Sequence, residues 1–261
     1  MDMTVEKLKL GTKIKFGAYT TTDGLFAPSS ICWLKASPEG DFIAESVLDY
    51  IAFDARERRS PDIDHRYYGN PSYELSNILQ FLNSEEQSWF TKTHDADEKP
   101  DQGNCCGYTI QYGGHPGFLY PFTEYEIASM QGMVELPHLS QVFGDGAFPL
   151  FKKKGIRPKA TEDLISRKLG RDGFGYNSYV DFWTQDLSGS GSVRTVGRDG
   201  YSSNKKPYEN CGLRPVVRLK PETKLVIDVD GIFTLEPFTV EDSTPVFSDE
   251  DLLKYLGLNP A

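Results

Sequence analysis

The sequence is poor in the residues that form covalent cross-links and most metal sites. It has four cysteines and four histidines among 261 residues. Cys105 and Cys106 are adjacent, and adjacent cysteines rarely bridge each other because the geometry is strained. The cysteines are too few and too scattered for a disulfide framework, and no CxxC pattern or histidine at ligand spacing indicates zinc. We therefore expect four reduced thiols, no metal and no organic cofactor.

Long apolar runs and an excess of basic residues are also missing. No apolar stretch approaches the ~20 residues that span a bilayer, and residues 1–7 lack the apolar region of a secretory signal. The net charge is −10, which argues against a basic surface for nucleic acid. The expectation is a protein that is made in a cytosol, or that leaves it by a route other than signal-peptide secretion, without membrane insertion and without a nucleic-acid partner.

Signatures of catalysis are missing as well. There is no HExxH, no Gly-x-Ser-x-Gly and no glycine-rich phosphate loop. Two short acidic segments, 62–65 and 94–98, could bind a divalent cation through oxygen atoms or could be solvated loops. The sequence therefore predicts a protein that is not an enzyme.

Aromatic and apolar residues are plentiful, with 16 Phe, 14 Tyr and 38% apolar residues, so the chain can bury a sizeable core. Residues 212–219 alternate with a period of two, which predicts one strand. Asp199-Gly200 and Asp230-Gly231 lie between β-favouring segments, and Asp-Gly is a strong signal for a hairpin turn. The sequence therefore predicts antiparallel hairpins.

Other segments have a helical or an irregular pattern. In residues 72–83, apolar side chains recur at i, i+3, i+4 and i+7, as on one face of a helix. Thr123 and Glu126 have the spacing of a capping box at a helix start. Residues 54–71, dense in Arg, Asp and Tyr, are predicted to form a loop. We expect an α+β fold with antiparallel β-hairpins, a few short helices and long loops.

A polar and aromatic stretch towards the end of the chain is the candidate ligand-binding surface. Tyr, Ser, Gly and Asn combine rigid contact area with adaptable hydrogen bonding, the composition typical of antibody binding loops. The alternative is that these are ordinary polar loops. The candidate residues are Tyr176, Asn177, Tyr179, Gln185, Asp186, Ser188, Ser190, Tyr201, Ser202, Ser203, Asn204 and Tyr208. Trp33, Trp89 and Trp183 are interpreted as core residues rather than platforms for sugars.

The C-terminal segment 237–261 differs in composition from the rest. An acidic, Pro-bearing linker precedes a short amphipathic helix that Ser248 would cap. Such a helix is too short to be stable alone in water. We expect it to dock on a neighbouring copy or another protein, the alternative being that it packs on its own domain. The docking residues would be Leu252, Leu253, Tyr255, Leu256 and Leu258.

A series of motifs along the chain, taken in order, is similar to that of a known family: residues 10–17, 31–33, 51–55, 73–83, 117–119, 212–219 and 230–231. These motifs resemble those of the DUF6273-type family, a family of phage and gut-bacterial proteins of unknown biochemical activity. The similarity covers about residues 8–236, and it implies synthesis in the cytoplasm of a bacterial host. Where a Trp-Leu-Arg-Ser/Thr-Pro run is usual in the family, this sequence has Phe182-Trp183-Thr184-Gln185-Asp186.

The resemblance implies a C-type-lectin-like domain over residues 1–236, related to the formylglycine-generating-enzyme fold and to retroelement-diversified tropism proteins. It favours a non-enzymatic virion surface protein of a phage, either a decoration or a receptor-binding protein. Its partners would be capsid or tail proteins, further copies of itself, and a glycan or protein of the host cell surface. A bacterial carbohydrate- or protein-binding module and a diverged enzyme of the formylglycine-generating fold remain alternatives.

Overall fold

β-Strands make up most of the regular secondary structure of the described chain, and the helices are few and short. The computed structural model describes residues 3–19, 28–56, 60–87, 89, 116–154, 157–162, 164–165, 179–189 and 191–236. The strands in these ranges are β1 (Met3–Thr4), β2 (Lys13–Tyr19), β3 (Ser29–Lys35), β4 (Asp41–Ala44), β5 (Asp49–Ala52), β6 (Phe182–Ser188), β7 (Ser192–Val196), β8 (Ser202–Lys205), β9 (Asn210–Leu213), β10 (Val216–Arg218), β11 (Lys224–Ile227) and β12 (Phe233–Leu235). The helices are α1 (Ile63–Tyr68), α2 (Asn77–Leu82), α3 (Glu124–Ala128), α4 (Leu139–Val142) and α5 (Pro149–Lys154).

The strands form two sheets. A seven-stranded sheet has the order β1-β11-β12-β2-β3-β4-β10, and a five-stranded sheet has the order β5-β9-β6-β7-β8. Most neighbouring strands are antiparallel, whereas β12 pairs with β2, and β6 with β9, in parallel. The predicted combination of antiparallel hairpins with a few short helices is therefore confirmed.

Both predicted Asp-Gly hairpins are present. Asp199-Gly200 lies in the turn between β7 and β8, and Asp230-Gly231 lies between β11 and β12. Gly200 has a φ of 86° and Gly231 a φ of 76°, values that glycine adopts without steric cost. The turn residues thus allow the chain to reverse sharply between two short strands.

The prediction of one continuous strand over residues 212–219 is wrong. The segment divides into β9 of the five-stranded sheet and β10 of the seven-stranded sheet. Pro215 lies between them, and proline has no amide hydrogen to donate to a ladder. Arg214 beside it is buried: its Nε donates to the Ala44 carbonyl at 3.0 Å, and its guanidinium lies 5.2 Å from the Phe182 ring centroid. The chain therefore crosses from one sheet to the other at these two residues.

The helix predictions are confirmed in part. Residues 73–75 form a 3-10 turn, and α2 follows with Ser76 as its N-cap. The capping box of Thr123 and Glu126 opens α3. The loop predicted over 54–71 instead contains α1, because the Asp62 side chain accepts hydrogen bonds from the amides of Asp64 and His65 and so caps a helix. None of the helices in the described ranges is long and apolar enough to cross a membrane.

The three tryptophans are part of the buried core, as the sequence predicts. Trp33 and Trp183 are fully buried, and Trp89 is 2% exposed. The Trp33 indole donates to the Phe16 carbonyl at 3.0 Å, and the Trp183 indole donates to the Ile51 carbonyl at 2.9 Å. Each of these two indoles therefore buries its ring while its N–H group is satisfied, which is the usual arrangement of a core tryptophan.

Candidate functional site

The β7–β8 hairpin forms one edge of the five-stranded sheet. β8 is the last strand in the order, and it pairs with β7 through Thr195 opposite Ser203 and Arg194 opposite Asn204. In the turn, the Gly197 amide donates to the Tyr201 carbonyl at 2.8 Å. The Asp199 carboxylate accepts from the Tyr201 amide at 3.1 Å. The turn is thus held by its own hydrogen bonds, so the strand after it starts from a defined position.

Five of the predicted ligand-binding residues are exposed on and beside this hairpin. The Tyr201 side chain is 72% exposed, and Tyr179 is 39% exposed. Ser202, Ser203 and Asn204 follow Tyr201 along β8 and are all exposed. The hairpin therefore presents one aromatic ring, two hydroxyls and one amide in consecutive positions.

Arg157 connects Tyr179 to the hairpin. Its guanidinium carbon lies 4.4 Å from the centroid of the Tyr179 ring. Its Cγ and Cδ atoms lie 3.2 Å from the point that a Cβ atom on Gly200 would occupy. The Arg157 side chain therefore packs between the Tyr179 ring and the turn at Gly200, the residue before Tyr201.

Three other candidates, all on β6, make contacts within the fold. The side-chain amide of Gln185 donates through Nε2 to the Leu136 carbonyl at 2.9 Å. The Asp186 carboxylate accepts from the Leu139 amide at the start of α4. Ser188 is buried. The side chains of Gln185 and Asp186 thereby join β6 to the segment before and at the start of α4.

Tyr208 belongs to a stack of rings and cations behind the hairpin. Its ring stacks on Tyr68, with centroids 6.1 Å apart. The Arg56 guanidinium lies 4.4 Å from the Tyr208 centroid, and the Lys206 ammonium lies 4.6 Å from the Tyr68 centroid. Each cation–π contact contributes about 0.5–1 kcal/mol at an exposed site. The stack holds the loop between β8 and β9 against α1.

Sequence reasoning missed the partners in this stack. Tyr68 and Arg56 lie in the segment predicted as a loop, and nothing local relates them to position 208. Their signal was the density of Arg and Tyr in residues 54–71, which is unusual for a plain linker.

The remaining candidates lie outside the described residues. They are Tyr176, Asn177, Ser190, Leu252, Leu253, Tyr255, Leu256 and Leu258. The predicted division at residue 236 and the docking of the C-terminal segment therefore stay predictions.

A buried polar cluster anchors the inner end of β8. The Lys205 ammonium lies 2.8 Å from the Asp181 carboxylate, and it donates to the Tyr50 hydroxyl at 3.0 Å. The Tyr50 hydroxyl in turn donates to Asp181 at 3.1 Å. The Arg198 Nε, from the hairpin turn, lies 3.9 Å from the same carboxylate. The cluster therefore connects the hairpin to β5 and to the residue that precedes β6.

The protonation states in this cluster follow from burial and charge. Burial, the largest effect, raises the pKa of the Cys211 thiol well above its usual value, so this thiol is neutral and a poor nucleophile. Burial alone lowers the pKa of Lys205, yet the surrounding groups, among them the Asp181 carboxylate that pairs with its ammonium, outweigh burial and raise that pKa. Burial raises the pKa of Tyr50 to about 12. At neutral pH the cluster therefore pairs one carboxylate with one ammonium.

Replacing Tyr50 with Phe should destabilise the protein at neutral pH and progressively less above pH 10. The ordinary tyrosine pKa is 10.0, whereas that of folded Tyr50 is about 12. Between these values the unfolded state binds fewer protons than the folded state. Wild-type stability therefore falls there by up to about 1.4 kcal/mol per pH unit more than that of the variant. Urea titrations of both proteins from about pH 8 to about pH 11 measure this; a constant difference between them would contradict it.

A small cavity lies near the start of β3. Its volume is about 130 Å³, and the residues that line it include Cys32, Glu45 and Thr161. Glu45 is ion-paired with Lys13 at 2.6 Å. Burial, the largest effect, raises the pKa of Cys32, so the thiol is protonated at neutral pH. The cavity offers hydrogen-bonding groups to a small molecule but no activated nucleophile at Cys32.

The described part of the chain has no group of three or more His, Cys, Asp or Glu side chains arranged to hold a metal ion. In the acidic segment 62–65, the Asp62 carboxylate accepts from the Asp64 amide at 2.8 Å. This carboxylate is therefore used as a helix cap. The second acidic segment, 94–98, lies outside the described residues.

Comparison of the chain with known protein families, with curated proteins and with solved structures finds no match in any of the three.

Proposed function

We propose that the chain is a non-enzymatic binding protein of a phage virion surface, with a C-type-lectin-like domain, that attaches the particle to a ligand on the host cell. The observation that supports this most directly is the β7–β8 hairpin. Four consecutive exposed residues, Tyr201 to Asn204, lie on a sheet edge that backbone hydrogen bonds and a partly buried ion pair hold in place. A preorganised polar and aromatic surface loses little entropy on binding.

The exposed edge is a second support for a binding role. A sheet edge offers unpaired amides and carbonyls to other molecules, and proteins commonly cover such edges, shorten them or place charges on them. Ser202, Ser203 and Asn204 of β8 are exposed, and β8 is the last strand of its sheet among the described residues. Small polar side chains on such an edge can hydrogen-bond a ligand without blocking access to the backbone amides and carbonyls of the strand.

Replacing Tyr201, Ser202, Ser203 and Asn204 together with Ala should abolish or strongly weaken adhesion to host cells. The free energy of unfolding should fall by no more than about 2 kcal/mol, because exposed substitutions each change it by about 0.5 kcal/mol or less. Binding of the purified protein to host cells measures adhesion, and urea denaturation measures stability.

A triple Ala variant of Glu222, Lys224 and Val226, which are exposed on and beside β11 of the other sheet, provides the matched control. It should bind host cells as the wild-type protein does. The proposal is wrong if the hairpin variant adheres like this control. A hairpin variant that unfolds would mean that the four residues are structural.

A further inference from the structure

Three exposed cations lie near the two exposed tyrosines of the proposed binding surface, in space or along the chain. Arg157, Lys159 and Arg198 are all exposed. Arg157 lies over the Tyr179 ring, and Lys159 pairs with Tyr179 in an isolated antiparallel bridge. Arg198 lies in the hairpin turn, three positions before Tyr201. We call these three cations and two tyrosines the cationic face.

Acidic residues also lie near this face. Asp181 is buried and pairs with Lys205 at 2.8 Å and with Arg198 at 3.9 Å. Asp199 is exposed, and one of its oxygens accepts from the Tyr201 amide. Glu162 is exposed and follows Lys159 closely along the chain. Among the exposed residues named here, three are cations and two are acids, whereas the whole chain carries a net charge of −10.

We propose that the cationic face binds an acidic glycan, a saccharide that carries carboxylate or sulfate groups; this inference rests on the proposed function of the hairpin. A guanidinium pairs with a planar carboxylate or with a sulfate through two parallel hydrogen bonds. The Tyr179 and Tyr201 rings supply amphipathic contact area for sugar rings. Ser202 and Ser203 follow Tyr201 along β8. Their side chains point to opposite faces of the sheet, so one of the two hydroxyls can hydrogen-bond a sugar that lies on a given face.

The packing of Arg157 strengthens this interpretation. Its stem lies against the turn at Gly200 and its guanidinium lies against the Tyr179 ring, so few rotamers are open to it before a ligand arrives. An arginine restrained in this way loses less entropy on pairing with an anion than a freely rotating one. An acidic polypeptide could use the charges and the strand edge, but it has no need of two exposed rings.

The test measures binding of the full chain to immobilised heparin, which is sulfated, to alginate, which is carboxylated, and to neutral dextran. We expect binding to one or both acidic polymers that weakens as salt rises, and no binding to dextran. The double variant R157Q/R198Q should bind about tenfold or more weakly, with a flatter salt dependence. The control K9Q/K224Q, whose lysines are exposed near and on the seven-stranded sheet, should stay within about twofold of wild type.

Several outcomes would overturn the acidic-glycan inference: equal binding to dextran, no binding to either acidic polymer, or wild-type affinity in R157Q/R198Q. Stronger binding to poly-glutamate or to DNA than to both polysaccharides would also overturn it. Thermal unfolding of both double variants confirms that a loss of binding is not a loss of fold.

The proposed function fails separately from this inference. If host-cell adhesion is lost in the Ala variant of residues 201–204 but kept in R157Q/R198Q, the proposed function stands and the acidic-glycan inference fails. If adhesion persists in the Ala variant, the proposed function itself fails.

Discussion

Replacing Gly212 with Ala is expected to destabilise the protein by about 3 kcal/mol. A Cβ atom on Gly212 would lie 2.2 Å from the Asp181 carbonyl oxygen and 2.8 Å from a Val47 methyl carbon. The first of these is a backbone atom, which can move only if β6 moves. The Gly212 amide also donates to that carbonyl at 3.2 Å, so the added methyl group would break the bond that joins β9 to the start of β6.

The same substitution should weaken ligand binding at a distance. The Asp181 side chain holds Lys205 of β8 and contacts Arg198 of the hairpin turn. If β6 shifts away from β9, this carboxylate shifts with it, and the hairpin loses its buried ion pair. Binding to host cells should therefore fall even at temperatures where the variant remains folded.

Gly189→Ala is the matched control for this prediction. No heavy atom lies within 4 Å of the Cβ position at Gly189, and this glycine is not among those with a positive φ. We expect the free energy of unfolding of Gly189→Ala to stay within about 0.5 kcal/mol of the wild-type value. Urea denaturation of the wild-type protein and of both variants measures these free energies. The prediction fails if Gly212→Ala is as stable as Gly189→Ala.

Replacing Trp183 with Ala is expected to destabilise the protein by about 3–5 kcal/mol. The indole is fully buried, and its ring packs edge-on against Phe53 with centroids 5.5 Å apart. Its N–H group satisfies the Ile51 carbonyl of β5 at 2.9 Å. The truncation would thus leave a large cavity and remove the side-chain hydrogen bond to the Ile51 carbonyl.

Trp183→Phe separates these two effects. It keeps most of the ring volume but removes the indole N–H, so it should cost about 1–3 kcal/mol. Thermal and urea unfolding give both values. If Trp183→Ala were as stable as the wild-type protein but had lost adhesion, the assignment of Trp183 to the core would be wrong. Trp183 would then be a binding residue.

Local signals predicted the hairpins and the caps correctly because their physics is local. Asp-Gly fixes a turn through the conformational freedom of glycine, and a capping box needs only two residues three positions apart. Asp62 carried a similar local signal, since an aspartate before a helical turn is a favoured N-cap. The high charge of residues 54–71 obscured it.

Features that depend on distant partners could not be predicted in this way. The alternation in residues 212–219 gave no reason to bury Arg214, because its partner carbonyl belongs to Ala44 and its aromatic neighbours are Phe151 and Phe182. Tyr201 and the residues after it were found by composition, whereas Arg157 was missed because its role depends on contact with Tyr179 and Gly200. Composition identifies side chains suited to binding, but only the fold determines which of them share a surface.

The chain passes between the two sheets both from β4 to β5 and from β9 to β10, and this has a mechanical consequence. The segment from β4 to β5 and the segment from β9 to β10 run side by side, with the Leu48 amide donating to the Leu213 carbonyl at 2.9 Å and the Ala44 amide donating to the Pro215 carbonyl at 3.0 Å. Tension that enters one sheet therefore reaches the other through two cross-linked segments, and neither can lengthen without breaking bonds to its neighbour. In an adhesive protein, such a junction would keep the bound hairpin attached to the rest of the molecule when fluid flow pulls the particle away from the cell.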